Sequence, residues 1–304
     1  MSGVKMDGAS TSEVSTHSAH ESHAAPQVAS AAMPDVFTGV GVALVTIFKP
    51  DGAVDPAATA ALAADLVGRG MRAVLVAGTT GEAGTLMLDE RTALISAVRA
   101  AIPADVPVVA GTGAATTATA VSLTAAAVSA GADGVLAYPP PAPPRAHADP
   151  PPDLADAMAY SASLADFFEA ISAAAAGRPV LAYHVPWISA PGVPVADLAG
   201  LPVVGIKDSS GSADRLLDEL AHYQGATYVG SSALLALAGP MGGAGAILAL
   251  SNVEPEACCR AFDGDAATQC QLADVHLDVR AGGPVALKRI LSRQAGYCDR
   301  SRVA

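Results

Sequence analysis

From Gly41 onward, short apolar runs of Val, Leu and Ala alternate with longer Ala-rich stretches of helical character. Apolar runs bounded by turn residues predict strands, and the longer periodic stretches between them predict helices. Strands are expected at Gly41–Phe48, Ala73–Thr80, Val106–Thr112, Gly134–Tyr138, Pro179–Val185, Val203–Lys207, Thr227–Gly230 and Gly245–Leu250. Helices are expected at Asp55–Gly70, Asp89–Ala101, Thr116–Ala130, Asp153–Ala176, Val195–Ala199, Ala213–Tyr223, Ser232–Gly239 and Glu254–Phe262.

Strand and helix thus follow each other through eight units, the pattern of an α/β fold closed into a (β/α)8 TIM barrel. A doubly wound open sheet is the alternative, and it often carries a Gly-rich nucleotide turn after its first strand. Here that place holds Phe48-Lys49-Pro50-Asp51-Gly52, a turn and not a phosphate loop. Two further helical stretches, Asp265–Arg280 and Pro284–Ser292, form a short C-terminal helical appendage. The expected organisation is a tail over 1–34, a barrel over 35–263 and a helical segment over 264–304. The tail is rich in Ser, Ala and His without a period and is expected to be disordered. Its His17, His20 and His23 read as part of a solvated polar segment.

Composition narrows the partners. A net charge of -12 over 304 residues argues against nucleic acid and anionic membrane. No run is apolar for long enough to span a bilayer, and the N-terminus lacks the apolar core of a secretory signal. Cys258, Cys259, Cys270 and Cys298 show no metal-type spacing and are expected to be reduced thiols of a cytoplasmic protein. His147, His184, His222 and His276 are scattered without ligand spacing, so no metal is expected.

The chemistry lies at the strand ends. The chain has only four lysines, Lys5, Lys49, Lys207 and Lys288. Lys207 closes the apolar run Val203-Val204-Gly205-Ile206. An ammonium buried there loses hydration, which favours the neutral amine, a nucleophile that forms a Schiff base with ketones. The bland alternative is a lysine that snorkels its amine to solvent. A barrel gathers the C-terminal strand ends at one mouth. Gly78-Thr79-Thr80-Gly81-Glu82 brings hydroxyls, and a glycine-flanked turn whose backbone amides can cup an anion. Tyr183-His184-Val185-Pro186 brings a phenol, and the eighth strand brings Ile247 onward. An amine, a phenol and an anion cradle suit covalent chemistry on a 2-oxo acid. The segment Pro139-Pro140-Pro141-Ala142-Pro143-Pro144-Arg145, with Pro150 to Pro152, would overhang this mouth as a lid, an oligomer contact or a plain insertion.

These motifs, with Ala43-Leu44-Val45-Thr46, Gly111-Thr112-Gly113, Gly205-Ile206-Lys207-Asp208 and Gly242-Gly243-Ala244-Gly245-Ala246-Ile247, resemble the dihydrodipicolinate synthase / N-acetylneuraminate lyase family of class I aldolase-type barrels. The resemblance runs from about Val36 to about Leu291. It implies a Schiff-base lyase or aldolase that makes or breaks a C–C bond through a Lys207 imine and enamine of pyruvate or a related 2-oxo acid. It implies no cofactor beyond that imine, an aldehyde as second partner, and a homo-oligomer, tetramer or dimer. By position, Lys207 matches the Schiff-base lysine and Tyr183 the proton-shuttling tyrosine. Thr79 and Thr80 match the pair that holds the carboxylate, with Thr79 in the proton relay and Gly78 beside them. Ile247 matches the residue whose carbonyl lines the pocket.

There are departures. The arginine expected shortly after Tyr-Asn-Val-Pro to grip a second substrate's carboxylate is Ile188, and the asparagine is His184. Prolines stand where the family's tyrosine pair follows the fourth strand, so Tyr138 and Arg145 are the candidates for the missing tyrosine and cation. His184 reads either as a substrate hydrogen-bonding group or as a satisfied strand histidine. The last helical stretch of the family is shortened or absent, which bears on lysine-type feedback regulation and on assembly. Alternatives within the family are 4-hydroxy-tetrahydrodipicolinate synthase proper and a sugar-acid dehydratase. Outside enzymes, a non-catalytic 2-oxo acid binding protein fits.

Overall fold

The computed structural model describes residues 36–142 and 154–303, together with Met1 and Gly3. The expected tail, its three histidines, and Arg145 with most of the Pro-rich segment lie outside the described residues.

Eight strands pair in parallel and in chain order until the last meets the first, which closes the barrel. They are β1 (Gly39–Ala43), β2 (Val74–Val76), β3 (Val108–Gly111), β4 (Gly134–Ala137), β5 (Val180–His184), β6 (Gly205–Asp208), β7 (Ala226–Val229) and β8 (Gly245–Leu248). The helices between them are α1 (Pro56–Gly68), α2 (Leu88–Ala101), α3 (Thr117–Ser129), α4 (Leu154–Ala174), α5 (Val195–Leu198), α6 (Ala213–His222), α7 (Leu235–Ala238) and α8 (Pro255–Phe262). Helix starts follow local chemistry. The Asp55 carboxylate accepts from Ala58 N ahead of Pro56, the Thr116 hydroxyl from Thr119 N, and the Ser212 hydroxyl from Arg215 N.

Strand side chains alternate between two environments, because successive residues point to opposite faces. Ala43, Leu75, Val109, Leu136, Leu181, Tyr183, Tyr228 and Ile247 pack together inside the barrel. Val42, Val74, Val76, Ala110 and Leu248 face the helices instead. Tyr228 stacks on Phe37 with ring centroids 4.6 Å apart, and its hydroxyl donates to Phe37 O at 2.8 Å. Gly245 stands opposite Tyr228, where a side chain would strike Gly39 O and the Tyr228 ring.

The first strand departs from expectation. Its ladder ends at Ala43, not Phe48, yet Leu44, Val45, Ile47 and Phe48 are buried. Apolar sequence marks burial, not pairing. Beyond Ala43 the backbone donors turn to Leu75 O, Asn252 Oδ1 and Thr59 Oγ1 instead of a regular ladder.

The C-terminal helices join the barrel in one compact unit. They are α9 (Ala266–Gln271) and α10 (Ala273–Ala295). Helix α10 breaks at Gly283, which sits at φ 53° and ψ -139°, directly before Pro284. Proline lacks the N–H a helix interior requires, and only glycine takes that backbone conformation without strain. The break lets the two halves serve different places. The second half buries Leu287, Lys288 and Leu291 against the barrel. The first half lies over the mouth.

Lys288 ends beside Glu82, both side chains fully buried, and also donates to Arg300 O at 2.9 Å. Its ammonium lies 4.1 Å from the centroid of the Phe48 ring. The other Glu82 oxygen accepts from Ser301 Oγ, Arg302 N and Val303 N at 2.7–2.9 Å. Arg302 forks onto Glu90 and reaches Gly52 O and Thr85 O. One buried carboxylate therefore fastens the chain end to the turn after β2. Lys288→Ala leaves that carboxylate without its cation, and unfolding in urea should show a loss of about 3–5 kcal/mol. A change well under 1 kcal/mol would show that Glu82 finds water instead.

Candidate active site

The end of β2 is bent into a strained turn. Ala77 has φ 53° and Glu82 has φ 57°, both left-handed conformations that non-glycine residues avoid. Between them stand Gly78, Thr79, Thr80 and Gly81. Glu82 N donates to Thr79 O and Ala83 N to Gly78 O. Thr46 Oγ1 donates to Gly81 O at 2.7 Å. Buried Arg91 donates to Ala83 O below the turn and to Gly111 O at 3.2 Å. Gly111 must be glycine, because a Cβ there would lie 2.5 Å from Ala77 O. The turn is thus held from three sides. Among the described residues, the backbone amides of Thr79 and Thr80 find no protein acceptor, so they stand free for an anion.

Register places Tyr183 of β5 directly beside Lys207 of β6. Both point into the barrel, with Tyr183 6 % and Lys207 4 % exposed. Lys207 Nζ sits 4.6 Å from the centroid of the Tyr183 ring. Ser209 Oγ donates to the Tyr183 hydroxyl at 3.3 Å, which leaves the phenolic proton to be offered elsewhere. A cavity of about 490 Å³ opens above them, lined by Thr79, Thr80, Tyr183, Lys207, Ser209 and Ile247. That volume lies within the usual range for small-molecule sites.

A second cavity of about 260 Å³ shares Thr79 and Tyr183 with the first. Gly78, Tyr138 and Ile188 also line it. Tyr138 tilts toward Tyr183, ring centroids 6.4 Å apart, and burial pushes its phenol above the ordinary value. Gly113 makes room for it, since a Cβ there would collide with the Tyr138 ring. The start of the Pro-rich segment is tied down beside it. Ser189 Oγ donates to Pro139 O, and Ala142 N donates to Ala190 O at 2.9 Å. Ile188 is apolar where a carboxylate-gripping arginine was expected.

The structure brings Lys207, Tyr183, Thr79, Thr80 and Ile247 to one cavity, and Gly78 and Tyr138 to its neighbour. It does not bring His184 there. Tyr183 faces inward, so His184, the next residue, faces the helix layer. The reading of His184 as a substrate-binding group is corrected on that ground. Its Nδ1 accepts from Val193 N at 3.0 Å, and burial, then Arg215, pushes the imidazole down to about 4. Asp208 alternates outward in the same way and joins Arg215 and Glu219. Sequence reading also missed Ser209, Glu82 with Lys288, and the residues of α10 at the mouth. The one available signal for Lys288 was its place between Leu287 and Leu291 in a lysine-poor chain.

In class, then, this is a closed parallel barrel with a buried lysine and a tyrosine facing a cavity beside a turn with free backbone amides. Comparison with known proteins agrees with that class. Residues 36–145 match the model of the dihydrodipicolinate synthetase family. The chain is 38 % identical over 244 residues to the 4-hydroxy-tetrahydrodipicolinate synthase of Hyphomonas neptunium, across 76 % of this chain and 77 % of that protein. It is likewise 38 % identical over 187 residues to the synthase of Synechococcus sp. strain CC9605, across 60 % of this chain and 57 % of that protein. The crystal structure of dihydrodipicolinate synthase from Aquifex aeolicus superposes with a TM-score of 0.76 at 26 % identity, over 88 % of this chain and 91 % of that one. The chain belongs to the dihydrodipicolinate synthetase family and is a lyase.

The network behind β5 and β6 carries a pH signature. Arg215 Nε lies 2.9 Å from Glu219 Oε1 and 3.8 Å from Asp208 Oδ1, so two buried carboxylates share one guanidinium. The approach to Glu219 is misaligned, and neither of its oxygens accepts a hydrogen bond. Burial, then the Asp208 charge, pushes the Glu219 carboxyl up from its ordinary 4.5 to about 8. As pH rises, the unfolded chain releases this proton first. The stability it contributes is therefore whole below about 4.5 and lost as pH climbs through about 8. Glu219→Gln should gain stability over wild type as pH rises from about 5 to 8.5, read as a growing gap between urea midpoints. A gap that stays constant would mean Glu219 does not titrate in that window.

Proposed function

We propose that the protein makes or cleaves a C–C bond of pyruvate or a related 2-oxo acid through an imine on Lys207. The observation that carries this reading is the inward-facing Lys207 beside Tyr183 in a cavity whose wall includes Thr79 and Thr80. In the reading, the substrate carboxylate lies on the free amides and hydroxyls of Thr79 and Thr80. The Lys207 amine attacks the C2 carbonyl carbon, and the carbonyl oxygen takes a proton to give a carbinolamine. That hydroxyl leaves as water with one further proton, and the C=N bond forms. Loss of a methyl proton gives the enamine, whose carbon adds to an aldehyde; hydrolysis then frees Lys207. Tyr183 carries the protons of these steps, with Ser209 fixing its hydroxyl and Thr79 at its side.

No cofactor is needed for that sequence, because the imine nitrogen is the electron sink. The four free cysteines fit reduced thiols of a cytoplasmic protein, and the family resemblance implies a homo-oligomer. Among the described residues no helix is long and apolar enough to cross a membrane.

A second reading, 4-hydroxy-tetrahydrodipicolinate synthase proper, is favoured by the names of the relatives. A coupled assay with pyruvate and aspartate semialdehyde decides it, and turnover at a rate typical of enzymes would establish it.

Borohydride added with pyruvate should attach one reduced pyruvyl group to Lys207, seen by peptide mass, and none to Lys207→Ala. Unlabelled wild type, or equal labelling of the variant, would overturn the proposal. Tyr183→Phe should keep the fold and lower kcat by about 10²–10⁴-fold, the usual worth of a positioned proton donor. An unaltered kcat would remove Tyr183 from the proton path.

A further inference from the structure

The first half of α10 presents His276, Val279 and Arg280 to the cavity that holds Lys207. Their spacing, i, i+3 and i+4, puts all three on one face of the helix. The break at Gly283 and Pro284 allows this, because the second half of the helix is fixed elsewhere by Lys288 and Leu291. Docking of the first half is specific. His276 Nδ1 and Ser232 Oγ are 2.7 Å apart, and Gln269 bridges Ser232 O and Ala236 N. Burial and the nearby Arg280 charge hold the imidazole below its ordinary value, so His276 adds no competing positive charge there.

Among the described residues, the Arg280 guanidinium enters no ion pair or hydrogen bond within the protein. The wall around it is made of neutral donors: Ser209 and Ser210 after β6, Ser231 and Ser232 after β7. Trp187, 63 % exposed, lines the same cavity. No Asp or Glu is among the residues that line it. A lone guanidinium at the outer wall, hydroxyls between, and an amine at the floor describe a ligand with an anionic end and polar substituents. Ile188 lines the neighbouring cavity, and the cation of this one comes from the C-terminal helix.

We propose that Arg280 binds the anionic group of the second substrate, an aldehyde bearing a carboxylate or phosphate, and so sets specificity at the Lys207 site. The proposal rests on the reading of Lys207 as the imine-forming lysine for its catalytic consequence, though not for the binding itself. Guanidinium pairs with either anion through two parallel N–H donors, which favours Arg over Lys at such a site.

Two measurements test it. The first follows pyruvate consumption with succinic semialdehyde, glyceraldehyde 3-phosphate or butanal as acceptor. Wild type should prefer one of the anionic aldehydes to butanal by about tenfold or more in kcat/KM, and the preferred one tells carboxylate from phosphate. Arg280→Ala should lose that preference through KM, Arg280→Lys should keep part of it, and both should trap pyruvate on Lys207 as wild type does. The second needs no turnover. Trp187 is the only tryptophan, so its fluorescence can report titration with succinate and with inorganic phosphate. Arg280→Ala should weaken the tighter-bound anion about tenfold, and the difference should shrink as salt is raised. Anion binding or aldehyde preference unchanged in Arg280→Ala overturns the proposal. So does a wild type that shows neither. Failure of pyruvate trapping alone condemns the imine reading, while the titration still judges Arg280.

Discussion

Strand β6 can send either Lys207 or Asp208 into the barrel, never both. Which of the two it is decides whether the cavity holds an amine or a carboxylate. Because strand side chains alternate, one residue of register would put a carboxylate in the cavity and drive the lysine among the helices. The neighbouring strand is set to the same phase, with Tyr183 inward and His184 outward. Closure of the barrel makes that phase collective. Each strand is paired on both sides, so none can slip without all eight moving.

The outward residues of the same two strands are spent on a polar cluster of their own. Asp208, Arg215 and Glu219 sit where apolar packing would be expected between strand and helix, and His184 is held neutral beside them. Such groups contribute little net stability once their desolvation is counted. Asp208 also accepts from Ser210 N and Ser210 Oγ, which ties the cluster to the loop after β6 at the cavity wall.

A different device secures the opposite wall. The turn after β2 is strained at both ends, at Ala77 and Glu82, and strain persists only where surrounding contacts over-determine it. Those contacts come from three remote places: Thr46 after β1, Arg91 on α2, and the chain end through Glu82. The C-terminal residues thus hold the Thr79–Thr80 turn in place through Glu82. The break in α10 separates this duty from the other task of the same helix, which is to lay Arg280 and His276 across the mouth.

How much of this could be read beforehand differs by the range of the interaction. The run of alternating apolar and Ala-rich segments sufficed for eight strand–helix units and a closed barrel, because burial is written locally as composition and period. Lys207, Tyr183, Thr79 and Thr80 stood out for the same reason, each at the end of an apolar run. Even the break at Gly283 was legible as the gap between the helical stretches ending at Arg280 and starting at Pro284. What composition could not convey was the end of the β1 ladder, since Leu44 to Phe48 are as buried as paired residues. Nor could it tell the inward side of β5 from the outward one, and both readings of His184 stayed open for that reason. Glu82 with Lys288, and Arg280 with Lys207, are more than 70 residues apart in sequence. No local pattern encodes such a meeting. Sequence determined which segments would be strands and what chemistry their ends would carry; the closed barrel alone decided which side chains share a cavity, because that depends on strand phase and on where distant helices come to rest.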